Sequence, residues 1–164
     1  MIQIVKDSDT RPWFFLQTAH TTYGMWVMET GHLEHLYYGE RITVDSQDPS
    51  SCTPLVIQRA FAPGNTCTYD REHPQISMED VCLEVGTLGK GDIRDPFLEV
   101  RFADGSVTTD FTFVSYKVFT LREKEQCLQD SGLPHSYSAA ETDSTECLQI
   151  VLQDVTNHLE LQLF

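Results

Sequence analysis

The residues best suited to chemistry form an acidic turn, GDIRDP, in which Asp92 and Asp95 lie on either side of Arg94. Two carboxylates can share the work of hydrolysis, one as a general acid and the other as a base or nucleophile. Their spacing argues against that use, because residues three apart in an extended segment point to opposite faces. Arg94 would also keep both acids ionised, whereas a general acid must hold a proton. We therefore predict a structural turn, held by bonds from backbone N–H groups to carboxylates.

A second candidate is the histidine pair His32 and His35 in HLEHLYYG, whose spacing would suit a metal site on a helix. The surrounding residues favour a strand, on which side chains three apart diverge. The other histidines are far apart and lack a nearby second ligand. Nucleotide-binding loops, nucleophile elbows and Cys–His pairings do not occur in the sequence. We expect neither a metal nor a cofactor.

Four large aromatic residues, Trp13, Trp26, Tyr37 and Tyr38, could stack on sugar rings if they were exposed on a sheet. Aromatic residues at alternating strand positions more often belong to a core or an interface, because each buries a large apolar area. The sequence does not show on which face of the sheet each aromatic residue lies, and the core interpretation is favoured.

The elements that must position these residues are mainly strands. Apolar residues alternate over 98–102 and again over 107–113, and the sequence ADGS at 103–106 has the Asp-Gly signal of a turn, so this region predicts a hairpin. Alternating leucines and isoleucine over 148–152 and 159–163 predict a second hairpin. Both patterns indicate antiparallel pairing.

Two more β-rich segments surround Gly31, which brings the expected count to at least six strands. Helix signals are weak: residues 121–129 suit a loop or a single turn of helix. From 45 to 74 the chain is rich in Pro, Ser, Asp, Asn and Gly, which predicts long loops of functional or interface type. We predict an all-β fold with little helix, an antiparallel β-sandwich that forms a single domain over 1–164 and is truncated at its C-terminal end.

The composition excludes several classes of partner. The chain has 164 residues, and its 11 Lys and Arg stand against 25 Asp and Glu, so the formal net charge is -14. Such a surface repels nucleic acid and anionic membranes. The five cysteines are scattered without a CxxC pair, which favours reduced thiols. Charges near the N-terminus argue against an export signal and no apolar run is long enough to span a bilayer, so we expect a cytoplasmic protein.

Five phrases taken together carry a resemblance. They are GHLEHLYYGERI (31–42), GKGDIRDPFLEV (89–100), ADGSVTTDFTFVSYKV (103–118), SGLPHSY (131–137) and ECLQIVLQD (146–154). In this order and spacing they resemble the N-terminal β-domain of glycoside hydrolase family 36, the bacterial α-galactosidases. The resemblance implies a β-supersandwich that precedes a catalytic (β/α)8 barrel. Because the barrel of these retaining enzymes supplies both catalytic aspartates, we expect no catalytic residue in this chain.

The resemblance also implies a substrate-contacting loop. In oligomeric family members, the loop before the GDIRDP turn reaches the active site of a neighbouring subunit. Arg71 matches an arginine of that loop, and its forked donors could bond sugar hydroxyls or a carboxylate. Gln58 stands where an aspartate is common, which replaces a charge-assisted acceptor with a neutral amide. Arg71 and Gln58 are thus the candidate substrate-binding residues, and the expected partners are the barrel, neighbouring subunits and a galactoside of the melibiose or raffinose type.

Two other functions remain open from the sequence. One is a free-standing carbohydrate-binding module that uses the aromatic residues, and the other is a plain interaction domain. Binding of galactose, melibiose or raffinose by the isolated chain would favour the module.

Overall fold

The computed structural model describes residues 1–6, 11–59, 67–120 and 146–164. Within these ranges the chain forms two antiparallel sheets, which confirms the predicted all-β sandwich. The first sheet is a four-stranded meander whose strands follow chain order: β1 Ile2–Lys6, β2 Pro12–Gln17, β3 Thr21–Val27 and β4 Leu33–Glu40. The second sheet has three strands in chain order: β5 Thr112–Thr120, β6 Glu146–Asp154 and β7 Leu159–Leu163. Helix is limited there to two 3-10 segments, Pro49–Leu55 and Met78–Asp80.

The main core lies between the two sheets. Alternation along β2 points Phe14 inward, where its ring meets those of Phe113 and Tyr116 from β5 at centroid distances of 6.2 and 5.2 Å. Ile150 and Leu152 of β6 are buried in the same cluster. The shared apolar core joins the two sheets into one packed unit.

The first sheet is covered on its other face as well. Trp13 and Phe15 alternate with Phe14 along β2 and pack against Val44 and Cys52 from the segment that follows β4. Strand β2 is therefore buried on both faces, and its sequence PWFFLQ shows no polar alternation. This continuity of apolar residues is the reason that periodicity alone did not identify β2 as a strand.

The Gly31 turn and the C-terminal hairpin are confirmed. Gly31 has φ +84° between β3 and β4, and β6 pairs with β7 in antiparallel register. The described ranges contain seven strands, in line with the expected count of at least six, but β1 and β2 take the place of strands expected within 98–111. The described parts of 45–74 contain no strand, as predicted. The prediction for 121–129 lies outside the described residues.

The predicted hairpin over 98–102 and 107–113 is wrong, although its turn is present: the Phe102 N–H donates to the Ser106 carbonyl at 2.9 Å. Neither arm is a strand before Thr112. The arms bond instead to the preceding segment 86–88: the Leu98 N–H donates to the Gly86 carbonyl at 3.2 Å, and the Thr109 N–H donates to the Leu88 carbonyl at 3.1 Å. Backbone bonds made to a third segment take the place of the predicted ladder.

Candidate functional site

The acidic turn is a structural clamp, as the sequence predicts. The buried Asp92 carboxylate accepts from the Arg94 backbone N–H at 3.1 Å and from Nε and Nη2 of the Arg94 side chain, both at 2.9 Å. Arg94 Nη2 also donates to the Met78 carbonyl at 2.9 Å. The bonds from Arg94 outweigh burial and lower the pKa of Asp92. The ionised carboxylate closes the turn, while Asp95 is exposed.

Two glycines let this turn approach its neighbours. Gly89 and Gly91 have φ values of +108° and +88°, in the left-handed region that favours glycine. A Cβ on Gly91 would lie 2.6 Å from Cys67 Sγ, and one on Gly89 would collide with the Thr108 side chain. Lys90, between them, also has a positive φ of 56°. The GKG sequence thus lets the turn pack closely against Cys67 and Thr108.

The two histidines, His32 and His35, contact different carboxylates. His32 Nε2 lies 2.8 Å from Asp110 Oδ1, while His35 Nδ1 lies 3.1 Å from Glu84 Oε1. His32 precedes β4 and His35 lies within it, so the pair does not converge. In the described ranges, no group of three or more His, Cys, Asp or Glu side chains could hold a metal ion.

Asp110 gathers three donors on one carboxylate. Besides His32 at Oδ1, its Oδ2 accepts from the Tyr69 hydroxyl at 3.0 Å and from Lys90 Nζ at 3.2 Å. Burial alone would raise the pKa of Asp110, but the bond from His32 and the charge of Lys90 lower it on balance. Burial and the nearby Asp110 carboxylate raise the pKa of Tyr69. The cluster joins residues from four separate parts of the chain.

Arg71 lies in a compact loop, residues 69–76, which we call the Arg71 loop. The Tyr69 N–H donates to the Ile76 carbonyl at 2.8 Å and closes the loop. Asp70 Oδ1 accepts from the Glu72 and His73 N–H groups at 2.8 and 2.7 Å, which shapes the tip. Arg71 is exposed at this tip, and no hydrogen bond or ion pair to another described residue engages its guanidinium.

Gln58 borders a cleft of about 330 Å³. Arg59, the next residue, inserts its guanidinium against the carboxylate of Glu34, which is completely buried, and donates to the Asp80 carbonyl at 3.2 Å. Trp26 Nε1 donates to the same carboxylate at 2.8 Å. The lining residues that matter here are Trp13, Trp26, Met28, Gln58, Arg59 and Gln75. Gln75 brings the Arg71 loop to the cleft, although Arg71 itself is not part of the lining.

The four candidate aromatic residues differ in their exposure and contacts. Trp13 is only 5% exposed and packs against Trp26 with a centroid distance of 4.8 Å, so the core interpretation holds for this pair. The Tyr37 hydroxyl donates to the Glu40 carbonyl at 2.9 Å. Tyr38 is 71% exposed and remains open to a partner. The four residues do not form one stacking surface.

Sequence reasoning missed the Glu34–Arg59 pair and the Asp110 cluster. Their members are separated by up to 78 residues in the case of His32 and Asp110. No spacing rule links residues so far apart. One weak signal was present, because Glu34 lies next to the apolar Leu33 in a segment that the sequence predicts to be β-rich.

Comparison with known proteins identifies the family of this chain. The sequence profile described as "Glycosyl hydrolase family 36 N-terminal domain" matches residues 31–164, and the chain belongs to that family. The bifunctional alpha-galactosidase/sucrose kinase AgaSK of Mediterraneibacter gnavus is 36% identical over 152 residues, which are 92% of this chain and 15% of the relative. Alpha-galactosidase AgaA of Geobacillus stearothermophilus is 29% identical over 150 residues, 92% of this chain and 19% of the relative.

Solved structures agree on the fold. The galactosidase domain of AgaSK superposes with a TM-score of 0.74 and 28% identity, covering 99% of this chain and 20% of that one. The chain therefore spans about a fifth or less of the length of these proteins, and it matches the N-terminal domain of the family. Among the described residues, no helix is long and apolar enough to cross a membrane.

Proposed function

We propose that this chain is the N-terminal domain of an α-galactosidase that removes terminal α-linked galactose from sugars of the melibiose and raffinose type. The relatives named above carry α-galactosidase in their names, and the match with AgaSK extends over 92% of this chain. The domain supports a catalytic barrel and a subunit interface. We take residues 1–164 as one β-sandwich domain, because both described sheets share one core.

The proposed contribution to substrate binding comes from Arg71 and Gln58. The observation that carries it is the exposed position of Arg71 at the tip of a loop whose backbone is closed by three hydrogen bonds involving Tyr69, Glu72 and His73. An arginine held outward on a rigid loop is prepared to bond hydroxyl oxygens of a sugar in an adjacent active site. Gln58 is also exposed, on the rim of the neighbouring cleft.

The experiment measures hydrolysis of a nitrophenyl α-galactoside in the full-length protein that carries this domain. Arg71→Ala should raise KM about tenfold with kcat nearly unchanged, because a bond from a charged donor is lost. Arg101→Ala, which removes another exposed arginine, is the control and should leave KM unchanged. An unchanged KM in the Arg71 variant would remove that residue from the site.

A companion variant tests Gln58. Gln58→Asp restores the charged acceptor and should lower KM in the same assay, because a charge-assisted bond replaces a neutral one. The isolated 164-residue chain should release no nitrophenol. If nitrophenol release co-purifies with the chain in two independent purifications, the non-catalytic assignment is wrong.

The cleft beside Gln58 favours a second candidate, a free-standing carbohydrate-binding module. Its volume of about 330 Å³ and its mixed lining of indole, amide and guanidinium groups would suit a small neutral sugar. Calorimetry of the isolated chain with galactose, melibiose and raffinose separates the two functions. Millimolar or tighter binding favours the module, whereas no binding leaves the supporting domain or a plain interaction domain.

The proposed setting is a cytoplasmic oligomer without a metal or cofactor. The described cysteines Cys52, Cys67 and Cys82 are free thiols, which fits a reducing compartment. Light scattering of the full-length protein tests the oligomer, and a monomer would exclude contact with a neighbouring active site.

A further inference from the structure

We propose that Asp110 is a positioning residue for the Arg71 loop: its carboxylate binds Tyr69 and thereby fixes the tip that presents Arg71. The inference rests on the proposed contact between Arg71 and a galactoside. It assigns a role to a cluster that lies outside both the loop tip and the Gln58 cleft.

The carboxylate is itself held rigidly. The Asp110 N–H donates to Asp154 Oδ2 at 3.0 Å, and Asp154 lies at the end of β6 with 1% of its surface exposed. His32, with a side chain only 7% exposed, reaches Asp110 Oδ1 from the turn before β4. Both sheets therefore fix the position of this acceptor. A fixed, ionised acceptor is a suitable anchor for a donor on a surface loop.

Tyr69 is the donor through which the Arg71 loop reaches this anchor. Its hydroxyl bonds Asp110 Oδ2 at 3.0 Å, while its own backbone N–H closes the loop on Ile76. The His32 ring meets the Tyr69 ring edge-on at a centroid distance of 4.9 Å. Tyr69 precedes Arg71 by two residues, so a change in the tyrosine position is passed directly to the tip.

Lys90 contacts the same carboxylate oxygen as Tyr69. Its ammonium lies 3.2 Å from Asp110 Oδ2 and 5.4 Å from the centre of the Tyr69 ring. The backbone there is held at φ 56°, a conformation that disfavours a lysine and would suit asparagine or glycine better. The lysine at this position makes an ion pair with Asp110 and a cation–π contact with the Tyr69 ring, and the shorter, neutral side chain of asparagine would supply neither.

The first experiment is limited digestion of the full 164-residue chain with trypsin, followed by mass spectrometry. Tyr69→Phe should accelerate cleavage after Arg71 about tenfold relative to cleavage after Arg101, because one bond to a charged acceptor is lost. Asp110→Asn and Lys90→Asn should act in the same direction. The matched control is Tyr23→Phe, which removes a hydroxyl bonded to another carboxylate, Glu84, at 2.6 and 2.7 Å.

Two results would overturn the proposal. One is an unchanged rate of cleavage after Arg71 in Tyr69→Phe, a variant that deletes one oxygen and keeps the ring packed. The other is an equal acceleration in Tyr23→Phe, which would indicate general loosening of the fold. Circular dichroism of each variant establishes that it is folded, and Tyr69→Phe decides the matter if Asp110→Asn does not fold.

The second experiment links the anchor to substrate binding in the full-length protein. Tyr69→Phe should raise KM with kcat retained, and it should add little to the KM of Arg71→Ala if it acts through Arg71. Additive effects would contradict positioning of Arg71. If trypsin shows a loosened loop but Arg71→Ala leaves KM unchanged, the proposed sugar contact fails while the anchoring of the loop by Asp110 stands.

Discussion

Replacing Arg59 with methionine tests how strongly the buried carboxylate of Glu34 depends on its partner. The Glu34 side chain is 1% exposed and that of Arg59 is 12% exposed, so the ion pair is nearly removed from water. Methionine keeps much of the arginine stem but supplies no charge. Trp26 Nε1 would remain as a donor to Glu34, at 2.8 Å. The variant therefore leaves a buried charge with one neutral bond.

The expected cost follows from this burial. Breaking a buried pair by removal of one partner costs about 3–5 kcal/mol, and the remaining bond from Trp26 favours the lower value. An unfolding entropy of about 2.1 cal/mol/K per residue gives about 0.34 kcal/mol/K for 164 residues. A loss of about 3 kcal/mol then lowers the melting temperature by about 9 °C.

Thermal unfolding followed by circular dichroism measures the change, with Arg101→Met as the matched control. Arg101 pairs with Glu99, but these side chains are 73% and 47% exposed, so its loss should cost less than about 1 kcal/mol. Adding Glu34→Gln to Arg59→Met should recover part of the stability, because the stranded charge is removed. Equal effects of Arg59→Met and Arg101→Met would refute the reasoning from burial.

Two further predictions concern the turns and the carboxylates. Gly91→Ala should destabilise the fold by about 1–3 kcal/mol more than Gly105→Ala in urea unfolding. The backbone strain is matched, because the two glycines have φ of +88° and +87°. Only at Gly91 would the added Cβ meet a neighbour within 4 Å, namely Cys67 Sγ. Equal losses would show that the contact with Cys67 is unimportant. Lowered pKa values of Asp92 and Asp110 give stability that is present above about pH 4, the unfolded pKa, and is lost as pH falls through the folded values. The urea midpoint should therefore fall on acidification, and Asp92→Asn should reduce that dependence; an identical pH profile in the variant would exclude Asp92 as a contributor.

The elements that the sequence predicted well are those whose pairing is local. Strands β6 and β7 are separated by a short turn and alternate clearly, so periodicity and turn residues were sufficient. The structural use of Asp92 was also predictable, because Arg94, its main partner, lies two residues away. In both cases the information needed was within one short stretch of chain.

The remaining features depend on partners that are distant in sequence. β2 lost its alternation because both of its faces are buried, one by the second sheet and the other by the segment around Cys52. The anchor at Asp110 required the tertiary fold to bring Tyr69, Lys90 and His32 together. The prediction that Arg71 and Gln58 bind substrate rested on the resemblance to a family, because no sequence pattern distinguishes an exposed arginine or glutamine from other surface residues.

The segment 86–88, which bonds to both arms of the ADGS turn, has a consequence for the order of folding. A hairpin can form early because its arms find each other through a short loop. Here the arms bond to segment 86–88 and not to each other. The Phe97 and Leu98 N–H groups both donate to the Gly86 carbonyl, and the Thr109 N–H donates to the Leu88 carbonyl. The arms can therefore become ordered only when segment 86–88 is in place. Segment 86–88 lies ahead of the clamp formed by Asp92 and Arg94, so this region depends on contacts of longer range than its turn suggests. We expect it to become ordered after the C-terminal hairpin.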